Sequence, residues 1–324
     1  MININLQEKK EKIEEVFWKW FKNKNLSEFL DLLSKDEELQ KIIFKSIEEY
    51  NLWIINNSNK LKEEKDYLEI KKFFFSMPKE HIEFSKKNFN ISEITEKFFL
   101  YKYKNFRDSQ AWKIVKILGI KTCPYCNKNF IDIYMNKSGK MKFNGDIDHY
   151  LPKWKYPYLA LCIYNLVPSC KSCNNEKGDN KQSKLHFHPY RNNIKLGYNF
   201  KTSFCEENID LDYIYGLSDN FHIKLECNGN EYMENSKEIF HLEDKYNNSK
   251  EQAKGIIRNA YIYNIRYIND MLNDYFINNN EYNRNLSYTD DIVKLIFDYE
   301  EEDKINRPLG KLKYDLLREF DLIK

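Results

Sequence analysis

Cys123-Pro-Tyr-Cys126 and Cys170-Lys-Ser-Cys173 bracket 43 residues that include Asp146-Ile-Asp148-His149-Tyr-Leu-Pro152 and Tyr164-Asn165-Leu-Val-Pro168, and Asn174-Asn-Glu-Lys177-Gly178 follows at once. Each C-x-x-C turn offers two sulfurs from one tight loop, so four thiolates can close a tetrahedral zinc site. A simple zinc ribbon needs far fewer than 43 intervening residues. What the metal ties together is therefore an insert with its own chemistry, carrying a carboxylate, an imidazole and a carboxamide.

A chain of 324 residues can bury a substantial core and suggests more than one lobe. With 16% aromatic residues it is a folded protein, not a disordered one. No apolar run reaches the length of a membrane span, and the first residues lack the regions of a signal peptide. These features predict a cytoplasmic protein with no membrane partner, in which seven cysteines serve as metal ligands and buried thiols, Cys162, Cys205 and Cys227 among the latter. The net charge of +2 is uneven: residues 121–200 carry +8 and the remainder −6. A basic segment around a reactive centre suits a polyanion. Lys153, Lys155, Lys171 and Lys177 are the candidate phosphate contacts.

The pattern predicts an α+β protein, mainly helical, with a zinc-stabilised core at its centre and a small β-containing C-terminal lobe. Residues 1–119 read as a helical domain. Val16, Phe17, Trp20 and Phe21 recur at helical spacing, Ser27 and Ser34 are predicted N-caps, and lone His81 reads as a surface residue. Residues 120–200 form the core, with a hairpin from Phe130 to Phe143 turning at Gly139. Residues 201–324 begin with alternating stretches at Ile209–Tyr213 and Phe221–Cys227, where Asn228-Gly229 reads as a hairpin turn. A long helix is then predicted from about Asp244, followed by two more.

Asp148-His149, Asn165 and Cys170-x-x-Cys173-Asn174-x-x-Lys177 resemble the HNH, or ββα-metal, endonuclease family in its two-knuckle zinc form. The resemblance implies structural zinc on the four cysteines and a catalytic Mg²⁺ or Mn²⁺ held by Asp148 and Asn174. It makes His149 the general base and Asn165 a brace for the loop that orients it. Asn174 stands where the family often has its last histidine, and a carboxamide is the weaker ligand. Asp146, two residues before Asp148, is open to a role as an extra ligand, though a surface carboxylate is the reading that its place favours. Phosphodiester hydrolysis needs a base near neutral pH and a cation for the charge on the leaving oxygen, which agrees with these roles.

Gly119-Ile-Lys-Thr-Cys123, His186-Phe-His188-Pro-Tyr190 and Arg307-Pro-Leu-Gly-Lys-Leu-Lys-Tyr-Asp315 extend the likeness to one group of bacterial HNH proteins. Those are often encoded beside an ATPase in anti-phage systems of the Septu or retron kind. The resemblance thus implies a DNA-cutting defence effector with an ATPase partner. His186 and His188 are open to phosphate or metal contact, and a packed turn also accounts for His188. Two other readings remain: an RNase acting on structured RNA, and a zinc module that binds nucleic acid without cutting it.

Overall fold

The computed structural model describes residues 1–57, 64–87, 89–178, 184–191, 198–205, 210–278, 287–300 and 303–323. Eight helices come first: α1 (Lys10–Lys24), α2 (Leu26–Lys35), α3 (Glu37–Phe44), α4 (Ile47–Asn57), α5 (Leu68–Phe74), α6 (Pro78–Ser85), α7 (Glu93–Ser109) and α8 (Ala111–Leu118). Three short antiparallel pairs follow among the remaining helices. They are β1 (Ile133–Met135) with β2 (Met141–Phe143), β3 (Asp146–His149) with β4 (Leu166–Ser169), and β5 (Asn199–Phe204) with β6 (Phe221–Glu226). Helix α9 (Lys171–Lys177) directly follows β4. The chain closes with α10 (Glu231–Ile239), α11 (Leu242–Asn247), α12 (Lys250–Ile262), α13 (Ile265–Asn278), α14 (Ser287–Phe297), α15 (Asp303–Asn306) and α16 (Gly310–Glu319). The fold is α+β and mainly helical. No described helix is long and apolar enough to cross a membrane.

The N-terminal helices assemble around aromatic rings. Phe17 and Phe21 of α1 meet Phe29 of α2, Phe74 of α5 and Phe106 of α7, with centroids 4.5 Å apart for Phe21–Phe74 and 5.4 Å for Phe17–Phe106. Trp18 and Trp20 are buried with them. Edge-on and tilted rings at these distances add quadrupolar attraction to the area they remove from water. The same contiguous set of buried side chains continues from Met1 to Leu322, through both cysteine knuckles. Tyr103 of α7 donates to the Ile147 carbonyl of β3 (2.8 Å), which fixes the helical layer against the central strand pair.

Several local expectations are corrected. The cap of α3 is Asp36, whose extended backbone lets its carboxylate accept from Leu39 N (3.1 Å) and, across the fold, from Ser92 N (2.8 Å). Ser34 instead lies in the last turn of α2 and donates to Asp31 O, while Ser27 lies inside its first turn. Leu211–Tyr213 is a 3₁₀ turn; Ile209 lies outside the described residues. Asn228-Gly229 leads from β6 into α10, because the Asn230 side chain caps that helix (Met233 N, 3.3 Å) before a return strand can start. The predicted long C-terminal helix is three. It breaks at Ser249 and again at Tyr263, and Asn264 then caps the next turn through Tyr267 N (3.0 Å).

His81 is buried rather than exposed. It sits in α6 against Ser76, with Nε2 2.9 Å from the hydroxyl. Since that hydroxyl already donates to Phe73 O, the ring must donate to it, which leaves Nδ1 as an unpartnered lone pair. Burial lowers its pKa from 6.5 to about 3. The unfolded chain therefore binds the proton first, so stability is full above pH 6.5 and is lost as pH falls toward about 3. Urea midpoints measured from pH 7.5 down to pH 4 are expected to fall steadily, and His81→Asn is expected to flatten that slope.

Candidate metal centre and motif site

The four sulfurs of Cys123, Cys126, Cys170 and Cys173 lie within 4.8 Å of one another, all in buried residues. Cys126 and Cys170 Sγ are 3.9 Å apart, close to the roughly 3.8 Å that 2.3 Å bonds in a tetrahedron require. The donor set suits zinc. Among the described residues it is the one group of three or more His, Cys, Asp or Glu side chains close enough to share a metal.

Hydrogen-bond donors surround the sulfurs, although burial raises the Cys123 thiol and the hydrogen bonds among the four raise that of Cys173. Lys128 N reaches Cys126 Sγ at 3.5 Å, Asn129 Nδ2 reaches Cys170 Sγ at 3.3 Å, and the Lys245 ammonium reaches Cys173 Sγ at 3.5 Å. Hydrogen bonds from Cys123 and Cys126 hold the Cys170 thiol well below its ordinary range. The first knuckle closes at Asn127, whose backbone is left-handed (φ 50°), a conformation asparagine tolerates. A bridge between Thr122 and Phe130 flanks it.

Both knuckles deliver side chains to β3. Cys170 is the N-cap of α9, its sulfur accepting from Cys173 N (3.5 Å). On α9, Asn174 and Lys177 are three residues apart and share a face; on β3, Asp146 and Asp148 are two apart and do likewise. The two faces meet. Asn174 Nδ2 lies 3.2 Å from Asp146 Oδ2, and Lys177 Nζ lies 2.9 and 2.7 Å from the two oxygens of Asp148. From the other knuckle, Tyr125 donates to Asp148 Oδ2 at 2.7 Å. Lys177 is 2% and Asp148 6% exposed, so the pair is sealed.

Lys177, expected as a surface phosphate contact, is thus a buried counter-ion of Asp148, because the seven-residue α9 ends with its inward face against β3. Asn174 meets Asp146 rather than Asp148. Lys153, Lys155 and Lys171 are exposed, the first lying 5.2 Å over the Tyr103 ring. Between two of these lysines stands Trp154, 55% exposed. An exposed indole between two lysines is a surface feature that periodicity along the chain does not single out.

His149 is 8% exposed and tilts against Tyr103, centroids 4.2 Å apart. Its Nε2 is 3.1 Å from the Ala160 carbonyl. A carbonyl only accepts, so Nε2 carries the proton and Nδ1 keeps its lone pair. Burial first, then the charge of Lys153, lowers the pKa to about 3, so the ring is neutral at physiological pH. Ala160 belongs to the loop that Asn165 holds. The fully buried Asn165 amide accepts from Leu151 N (2.8 Å) and donates to the carbonyls of Leu151 (3.1 Å) and Leu159 (3.2 Å). Asn165 thus sets the position of His149 through one intervening residue.

Further along, His186 and His188 are buried and packed on Tyr150, with centroids 4.6 and 4.1 Å away. His188 Nδ1 accepts from Tyr190 N (3.2 Å), closing a turn within the core. Cys162 and Cys227 are buried and Cys205 half-buried.

A 39-residue stretch of the chain is 46% identical to the Septu protein PtuB of Bacillus thuringiensis, spanning 12% of this chain and 15% of that protein. No family model and no solved structure matches the chain.

Two outcomes are expected here. Elemental analysis of the purified protein should find about one zinc per chain, and Cys170→Ser should lose both the zinc and the folded baseline. Lys177→Met should cost roughly 3–5 kcal/mol in urea unfolding, since it leaves a buried carboxylate unpaired, while adding Asp148→Asn should recover most of that loss.

Proposed function

We propose that the chain is a metal-dependent phosphodiester hydrolase of the HNH type, cutting DNA as the nuclease effector of an anti-phage system. The observation that carries this reading is His149: a neutral imidazole with its tautomer fixed by Ala160, on a loop braced by Asn165, next to a buried carboxylate. A non-catalytic zinc module has no use for that arrangement. The similarity to the Septu protein PtuB supports the defence setting, and an ATPase as protein partner is what the resemblance of the sequence motifs implies.

In this reading Nδ1 of His149 takes the proton from the attacking water. Its low pKa in the resting protein is a product of burial and nearby lysine charge, and an arriving phosphate anion offsets the lysine charge, raising basicity when substrate binds. A divalent cation would be held by oxygen donors of β3 and α9: Asn174 and Asp146, which already touch, and Asp148 when Lys177 releases it. Two carboxylates and a carboxamide oxygen are hard donors that suit such a cation, which would take the place of the Lys177 ammonium now on Asp148. When bound, Mg²⁺ or Mn²⁺ supplies the positive charge that stabilises the phosphorane and leaving oxygen. Trp154 with Lys153 and Lys155 offers a basic, stacking surface for the strand.

With full-length protein and Mg²⁺, His149→Ala is expected to lower DNA cleavage by about 10²–10⁴-fold with zinc content and helicity unchanged. Asn174→Ala should lose less and regain activity at higher Mg²⁺, a carboxamide being a weak ligand. Cleavage by His149→Ala at the wild-type rate overturns the assignment. Parallel incubation with tRNA separates the RNase reading.

A further inference from the structure

Beside the motif, on the far side of Tyr150, lies a cavity of about 200 Å³. Its wall includes Lys86, Tyr150, Lys155, Lys177, Lys184 and His186, and among the described residues it contains no carboxylate. The lysines come from four separate stretches of chain: the end of α6, the loop after β3, the end of α9 and the segment leading to His186. Two of the charges are already shared, Lys177 with Asp148 and Lys184 with Glu238 (2.9 Å). Lys86 and Lys155 are exposed at the rim.

His186 supplies the second observation. It is only 4% exposed, and its Nε2 has no hydrogen-bond partner among the described residues. Tyr125, Tyr150 and Phe240 fix its ring at centroid distances of 5.7, 4.6 and 5.5 Å. Buried polar atoms without a partner are rare in folded proteins, and one bordering a cationic cavity points to a ligand. Tyr150 directly follows His149, so whatever fills this cavity lies next to the motif.

We infer that the cavity binds a phosphate group, with Lys86 and Lys155 contributing the charge and His186 an N–H. The group belongs either to a nucleic-acid strand, beyond the bond attacked at His149, or to a free phosphate or mononucleotide. The strand source rests on the nuclease reading; the pocket's charge and shape do not.

The test uses the full chain carrying His149→Ala, without divalent cation, so that binding is read apart from cleavage. Inorganic phosphate, AMP, and a fluorescent DNA tetranucleotide with or without a terminal phosphate are titrated by thermal shift and anisotropy. Saturable binding is expected for at least one, weakened about tenfold by Lys86→Ala with Lys155→Ala, a size suited to losing charge-assisted hydrogen bonds at a partly screened site. Both lysines are exposed, so unliganded melting and zinc content should hold. His186→Phe, which keeps the aromatic packing and removes the N–H, should weaken the same ligand. Binding by phosphate or AMP assigns a free anion, and binding by the tetranucleotide alone assigns a strand phosphate. No saturable binding, or affinity unmoved by the lysine pair, overturns the proposal. Binding that survives in a protein whose wild-type form cuts nothing removes the nuclease reading and leaves the pocket standing.

Discussion

Four sulfurs within 4.8 Å are the constraint on which the centre of this molecule depends. The knuckles are separated by 43 residues, and both must reach one point, so the strand pair between them has its ends fixed. Cys170 caps α9, which sets the rotation of Asn174 and Lys177 toward β3. Tyr125, inside the other knuckle, reaches the same carboxylate. Loss of one sulfur therefore frees both the cap and the tyrosine.

The buried Asp148–Lys177 pair concentrates charge where the motif needs it. Taking two ions out of water is costly, and such pairs seldom stabilise a fold relative to apolar residues of the same volume. Here the carboxylate is also bonded by Tyr125, and the lysine also donates to the His149 carbonyl, so their hydrogen-bonding capacity is largely used. The same low-dielectric surroundings keep His149 neutral, leaving a lone pair on one defined nitrogen.

Distant parts of the chain are built into this centre. The Asn127 amide donates to the carbonyls of Lys304 (3.0 Å) and Arg307 (3.3 Å) and accepts from Lys311 N (2.8 Å), docking the start of α16 on the first knuckle. Ile2 N donates to Pro124 O (2.8 Å), and Tyr246 donates to Cys126 O (2.8 Å). The long flanks thus support the zinc loop by direct hydrogen bonds. The Arg307–Asp315 stretch, noticed in the sequence only as a likeness, has this physical use.

The sequence by itself determined the elements whose cause is local. Helical spacing of Phe17, Trp20 and Phe21, the turn at Gly139 and the paired cysteines were legible because spacing along the chain sets them. Tertiary structure decided everything that depends on which face meets which. Lys177 reads as a surface cation until α9 is laid on β3, and then its ammonium meets Asp148 and the His149 carbonyl. His81 sits between Lys and Glu in sequence, yet α6 turns it inward against Ser76. Asp146 reads as a surface carboxylate until its alternation with Ile147 brings it opposite Asn174. The break at Tyr263 escaped because the apolar stripe of Ile257, Tyr261, Ile265 and Ile268 runs through it at helical spacing, and only the side chain of Asn264 starts a new helix. In each case the deciding partner comes from another element or from a cap that competes with the helix, and neither is written in the periodicity of the chain.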